Sequence, residues 1–251
     1  MLEIQRYEGA SGTPLLIVHG LFGSGRNWGV IAKRLSDTRP VYTVDMRNHG
    51  DSPRADSQTY DDMADDLLEV VSTLGPQVDL IGHSMGGKAA MVAALKHPTA
   101  LRRLLVADIA PVTYGHSQLH YIEAMTSLDL TAIATRGDAD RALAGKIEDA
   151  SVRSFLLQSL DVKQKRWRLN LDVLAREMPA IVGFPDVKGS FGGPTLFLSG
   201  GESDYVLAEH RPIIKALFPK ARFAKIPGAG HWLHAEKPRA FEATARVFLD
   251  A

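Results

Sequence analysis

The chain contains no cysteine. Disulfides, thiolate catalysis and zinc–sulfur sites are excluded together, and the composition fits a cytoplasmic protein. No uninterrupted run of about 18 apolar residues occurs, so neither a spanning helix nor stable membrane insertion is expected. The first residues, MLEIQRYEGASGTP, lack a basic start followed by an apolar run, so no secretory signal is expected either. Net charge is also missing, because 29 Lys and Arg balance 29 Asp and Glu. A balanced surface offers nucleic acid or an anionic membrane no broad electrostatic footprint. The nine histidines include no H-E-x-x-H or similarly spaced group, so neither a metal nor another cofactor is expected. Internal repeats and low-complexity tracts are absent too.

What remains is a chain of 251 residues, 45% hydrophobic and 23% charged. That is enough for one large α/β core with an insertion, and too little for two full domains.

The densest chemical signal lies in residues 78 to 97, VDLIGHSMGGKAAMVAALKH. Val78, Leu80 and Ile81 suit a strand buried on both faces, and Gly82-His83-Ser84-Met85-Gly86 fits G-x-S-x-G. From Gly87 the pattern turns to a helix of small residues. Ser84 then sits on a sharp strand-to-helix bend at a helix N-terminus, with Gly82 and Gly86 clearing space for close passage. A Gly/Ser turn of this kind occurs by chance in many proteins; the strand before it and the helix after it make it a nucleophile elbow.

Around this elbow the chain alternates strands and helices. Leu2, Ile4 and Tyr7 read as an edge strand, and Leu15 to Val18 as an inner strand running into the glycine-rich turn His19 to Ser24. In such a turn the residue after His-Gly supplies half of an oxyanion hole, which makes Leu21 a candidate beside the N–H of Met85. Asn27 to Leu35 reads as a helix and Val41 to Val44 as a strand, followed by a charged loop in which Asp45 and Arg47 are expected to tie neighbouring loops together rather than act in catalysis, since their charges can satisfy each other. Tyr60 to Leu74 is an amphipathic helix with Asp61, Asp62, Asp65, Asp66 and Glu69 towards water, suited to a helix N-terminus rather than to a metal.

Leu101 to Ala107 gives another buried strand and delivers Asp108 at its C-terminal end, the edge where open parallel sheets place their sites. Residues 112 to 190 break the rhythm, with helices expected around 119–125, 138–147, 151–157 and 171–178. This stretch is expected to form a helical cap over a core made of residues 1–111 and 191–251. Its apolar residues would alternatively form a dimer surface, so monomer and homodimer both stand. Strands at 194–199 and 221–226 complete the sheet, with helices at 210–218 and 238–249. Asp204 follows the first of these strands, and His231 lies in a glycine-flanked loop after the second.

A serine hydroxyl needs a base to become a nucleophile, and imidazole oriented by a carboxylate is suited to the task. His231 completes the chain order Ser, acid, His. His19 and His83 read as scaffold, and His49, His97, His116, His120, His210 and His234 have no comparable placement. Asp108 and Asp204 both stand at the catalytic edge, and the sequence does not choose between them.

With these pieces in place, the chain resembles the α/β-hydrolase superfamily, and more narrowly the small bacterial esterases related to abhydrolase-domain-containing protein 11. The resemblance rests on VHGLFGSGRNW from Val18, DMRNHGDSP from Asp45, GHSMGGKAAM from Gly82, VADIAPVTY from Val106 and GAGHWLHAEKP from Gly228. It implies a mostly parallel sheet flanked by helices, a small cap, and hydrolysis of small acyl esters or thioesters through an acyl-serine intermediate. It further implies Ser84 as nucleophile, His231 as base, Leu21 and Met85 as oxyanion donors, and Asp108 as the acid. The chain departs from such relatives in carrying the commoner superfamily acid, Asp204, as well. Carbon–carbon bond hydrolases and perhydrolases share the triad, and a catalytically silent binding protein shares the fold.

Overall fold

The computed structural model describes all residues from Met1 to Ala251. Short apolar runs punctuated by glycine and proline become the strands β1 (Ile4–Tyr7), β2 (Leu15–Val18), β3 (Val41–Val44), β4 (Val78–His83) and β5 (Leu101–Ala107). Between them lie α1 (Gly29–Leu35), α2 (Tyr60–Leu74) and α3 (Met85–Lys96). The insertion then carries α4 (Leu119–Thr126), α5 (Arg136–Leu143), α6 (Ala150–Leu156), β6 (Leu160–Asp161), β7 (Arg166–Trp167), α7 (Leu171–Arg176) and α8 (Met178–Val182). The chain closes with β8 (Thr195–Gly200), α9 (Arg211–Leu217), β9 (Ala221–Ile226), α10 (Leu233–Glu236) and α11 (Pro238–Asp250).

Seven strands form one sheet in the order β1-β3-β2-β4-β5-β8-β9. Only β1 is antiparallel, pairing with β3 from Ile4 opposite Val44 to Tyr7 opposite Val41. Side chains alternate across the sheet, so adjacent residues of one strand enter different cores. Leu16, Val18, Leu80 and Leu104 pack on the face covered by α2 and α3, whereas Leu15, Ile17, Ile81 and Leu105 pack on the face covered by α1 and α11. Each such aliphatic side chain stabilises the fold by about 1.5–3 kcal/mol on burial. The two-sided burial explains why β2 and β4 read as continuous apolar runs.

One buried charge stands in this sheet. Asp79 in β4 has no solvent exposure and accepts from Arg39 Nη1 at 3.0 Å and from Arg102 Nε at 2.8 Å. Burial raises its pKa more than the two arginines lower it. The cluster ties β4 to the turn before β3 and to β5, a bond across three elements that hydrophobic patterning does not display.

The expected elements appear, with informative differences. The helix expected from Asn27 begins as a 3-10 turn at Gly25–Trp28 before α1. Asp45 and Arg47 do not pair with each other. Asp45 accepts from the N–H groups of Gly25 at 2.7 Å and Asp51 at 2.9 Å, while Arg47 binds Asp66 of α2 at 2.6 Å. Asp66 is therefore an anchor for the loop and not a solvated face residue, and Asp65 pairs with Lys96 of α3. A two-stranded hairpin, β6 with β7, lies inside the insertion where only helices were expected; two-residue strands leave no readable alternation.

The insertion is fastened to the core at several points. Asn170 donates from its backbone N–H to the carbonyl of Asn48 and from its side chain to Asn48 Oδ1, both at 2.9 Å. The Tyr60 hydroxyl donates to the carbonyl of Ile181 at 2.6 Å. These bonds hold the insertion against the C-terminal edge of the sheet, where the loops carrying Ser84, Asp108 and His231 converge.

Candidate active site

The site begins with a strained residue. Ser84 has φ +51 and ψ −121, a conformation that L side chains rarely adopt, as the N-cap of α3. A Cβ on Gly82 would lie 2.4 Å from the carbonyl oxygen of Gly86, and one on Gly86 would lie 2.3 Å from that of His19. Two glycines thus let α3 fold back onto its own strand and onto the turn after β2.

Ser84 Oγ lies 3.0 Å from His231 Nε2, and His231 Nδ1 lies 2.7 Å from Asp108 Oδ2. Asp108 is fully buried, again with a positive φ of 52. Its Oδ1 accepts from the Gly200 N–H at 2.9 Å and its Oδ2 also accepts from the Ser203 hydroxyl at 2.5 Å. The carboxylate accepts a hydrogen bond from Nδ1–H, which keeps that proton on Nδ1 and leaves the Nε2 lone pair facing the serine hydroxyl. Asp204, one residue beyond Ser203, is exposed and makes no bond to His231. The structure therefore brings Ser84, His231 and Asp108 together and leaves Asp204 outside.

Two backbone N–H groups face the same region. Leu21 and Met85 donate to no group of the protein, whereas their neighbours are engaged: Phe22 N–H donates to His49 Nε2 at 3.2 Å, and Gly23 N–H to the carbonyl of Gly20 at 3.0 Å. Met85 opens α3, where unpartnered N–H groups favour an anion, and Leu21 lies in the turn after β2 that lines the same cavity. The turn is set by two imidazoles, those of His19 and His49, with centroids 5.1 Å apart and planes tilted by 54°. His19 accepts from the Met46 N–H at 2.9 Å and donates from Nδ1 to the carbonyl of Gly20 at 2.8 Å. Burial pulls His19 down to about 4 and, with help from His19, pulls His49 down to about 3. Both stay neutral, as these acceptor roles require.

His83 and His234 complete a buried histidine layer. His83 donates from Nε2 to the carbonyl of His231 at 2.8 Å, and burial pushes its pKa well below the usual value. His234 stacks on Trp28 with centroids 4.0 Å apart and planes 9° apart, and burial pulls it down to about 3. On the open side the Tyr205 ring stacks on His231 at 4.1 Å, and its hydroxyl bonds His116 Nε2 at 2.8 Å.

Ser84, His231 and the residues Leu21 and Met85 open into a cavity of about 250 Å³ lined by 26 residues, 15 of them hydrophobic. Phe155, Ile181 and Val182 come from the insertion, and Phe22, Ile109 and Trp232 from the core. Lys88 also reaches it, with its ammonium bonded to the carbonyls of Val112, Val182 and Gly183. Burial pulls Lys88 down to about 7, while three carbonyl acceptors are what a charged ammonium requires.

Sequence reasoning missed His49, His116, His234, Ser203 and Tyr205. His49 had a usable signal, since its loop follows a parallel strand at the sheet's C-terminal edge. The others meet the site only through tertiary contacts, Tyr205 with His231 across 26 positions, His116 with Tyr205 across 89, Ser203 with Asp108 across 95 and His234 with Trp28 across 206, which no local pattern displays.

A family model described as the alpha/beta hydrolase family matches residues 15–244. The chain is 43% identical over 249 residues to the sn-1-specific diacylglycerol lipase ABHD11 of Danio rerio, covering 94% of this chain and 78% of that one. It is 39% identical over 243 residues to the esterase YbfF of Escherichia coli, covering 95% and 93%. A solved structure titled marine microorganism esterase superposes with a TM-score of 0.93 at 41% identity over 98% of both chains. No helix is long and apolar enough to cross a membrane. The fold, the elbow and these similarities lead to one assignment: the chain belongs to the alpha/beta hydrolase family and, within it, to the ABHD11-like esterases.

Proposed function

We propose that the protein is a serine carboxylesterase that cleaves short acyl esters through an acyl-serine intermediate. His231 Nε2 takes the Ser84 proton as Oγ attacks the ester carbonyl, and Asp108 stabilises the imidazolium. The N–H groups of Leu21 and Met85 receive the oxyanion, each worth roughly 3 kcal/mol in the transition state. The tetrahedral adduct collapses, the C–O bond to the alcohol breaks, and His231 returns the proton to the leaving oxygen. Water, deprotonated by the same histidine, then attacks the acyl-serine and releases the acid.

The observation that carries this reading is the unbroken chain from Ser84 Oγ through His231 to Asp108, at 3.0 and 2.7 Å, beside two N–H groups with no other acceptor. A cavity of about 250 Å³ is smaller than the roughly 300–1,000 Å³ usual for drug-sized ligands, which supports a short acyl group over a long one. Similarity to proteins named as diacylglycerol lipases supports a second reading, an acylglycerol substrate whose glycerol part stays outside the cavity. Turnover of p-nitrophenyl esters, acylglycerols and acyl-CoA thioesters of graded length by wild type and Ser84→Ala tests both readings. Wild-type hydrolysis that favours short esters and disappears in the variant is the expected result; equal turnover by the variant contradicts the assignment.

A further inference from the structure

Lys88 is buried one helical turn beyond Ser84, and no carboxylate pairs with it. Its ammonium donates to the carbonyl of Val112 at 2.8 Å and of Val182 at 2.9 Å, and also to that of Gly183. All three protons are engaged, so none is left for a ligand. The acceptors have a common meaning in the fold. Val112 lies where the chain leaves the core for the insertion, and Val182 and Gly183 lie where α8 ends and the chain turns back towards β8.

The two crossing segments also bind each other, through the Tyr114 N–H and the carbonyl of Val182 at 3.0 Å. The rings of Tyr114 and Tyr60 lie against the ammonium, with centroids 4.7 and 5.7 Å from Nζ. Tyr60, Tyr114, Ile181 and Val182 belong to the cavity wall. A single cation on the nucleophile's own helix therefore gathers both ends of the insertion and the wall built from them.

We propose that Lys88 is a positioning residue that sets acyl-length selectivity by fixing the two ends of the insertion to the helix bearing Ser84. The proposal rests on the esterase reading for what is selected, but its structural half does not. An apolar side chain of similar length would leave the part-buried carbonyls of Val112 and Gly183 without a donor and that of Val182 with the Tyr114 N–H alone. Such groups move towards water or towards each other, because an unsatisfied buried acceptor is costly. The wall formed by Ile181, Val182 and Tyr114 would shift with them, and the cavity would change depth without any change at the triad.

The test is Lys88→Met, read by steady-state kinetics on p-nitrophenyl esters from acetate to octanoate and by hydrogen–deuterium exchange of peptides containing Tyr114 and Val182. The expected result is exchange of the Tyr114 amide at least about tenfold faster, together with KM values for the longer esters shifted about tenfold or more relative to acetate and a smaller change in kcat. A folded variant whose exchange or whose chain-length profile matches wild type overturns the proposal. If no ester is turned over by wild type, the esterase reading falls, and selectivity set by Lys88 falls with it, whatever the exchange shows. Should Lys88→Met fail to fold, Tyr60→Phe removes the hydroxyl that holds the Ile181 carbonyl without touching the cation. It is expected to move exchange and KM in the same direction and by less; wild-type behaviour in both readouts overturns the proposal.

Discussion

His83 donates from Nε2–H to the backbone carbonyl of His231 at 2.8 Å, so the residue before Ser84 holds the loop that carries His231. The bond spans 148 positions and joins the two halves of the site that the insertion separates. The bond requires a proton on Nε2, and burial keeps the ring neutral, so that proton is the only one it carries. His83→Ala should lower kcat about 10- to 100-fold with a smaller effect on KM, because a misplacement of about 1 Å in the base has that consequence. Steady-state kinetics checks this, and an unchanged kcat would remove His83 from the positioning of the base.

The two acids separate cleanly by substitution. Asp108→Asn keeps the shape but reverses the preference for the proton on Nδ1, and kcat should fall by about 10⁴. Asp204→Asn alters an exposed group with no bond to the imidazole. Its kcat should stay within about threefold of wild type, as for surface substitutions of small energetic effect. A larger loss from Asp204→Asn than from Asp108→Asn would reassign the acid.

Stability should fall steeply in mild acid. His19, His49, His83 and His234 are buried and neutral, with folded pKa values pushed below 6.5, to about 4 for His19 and about 3 for His49 and His234. The unfolded chain binds protons at these imidazoles below about pH 6.5 and the folded chain does not, so stability is full above that pH and declines as pH falls towards the folded values. At pH 5 His19, His49 and His234 each cost about 2 kcal/mol relative to pH 7.5, and His83 adds to the loss in the same direction. Urea midpoints measured at the two pH values should differ markedly, and equal midpoints would show that the histidines titrate alike in both states.

The Arg39–Asp79–Arg102 cluster gives a prediction remote from the chemistry. Asp79→Ala takes the buried carboxylate from the largely buried Arg39 and leaves it only the half-exposed Asp250, at a cost of about 3–5 kcal/mol. Thermal unfolding should shift down by about 6–20 °C for a chain of this size. A shift below about 2 °C would mean that Asp250 and water already suffice for the charge.

The physical reasons for what could be read in advance are visible in individual residues. Tyr60 to Leu74 carries its helix in a repeat of apolar positions and a Thr59 cap, so α2 matches its expected bounds. β4 and α3 are announced by a change of period at Gly82 to Gly87, which is why the elbow stood out. Asp108 was reached through resemblance, because choosing it over Asp204 depends on which loop meets His231, a distance no local pattern encodes. The β6–β7 hairpin was missed because two residues per strand make no alternation. Tyr205 on His231 and Lys88 under both ends of the insertion are tertiary facts: one turn residue and one basic residue early in a largely apolar helix gave no sign of their partners.

The most direct measurement is peptide mapping by mass spectrometry after reaction of the folded protein with a fluorophosphonate. A reactive serine at the elbow predicts one covalent adduct, on Ser84, lost in Ser84→Ala and strongly slowed in His231→Ala. Absence of an adduct on Ser84 in folded wild-type protein, or labelling undiminished when His231 is replaced, would contradict the account.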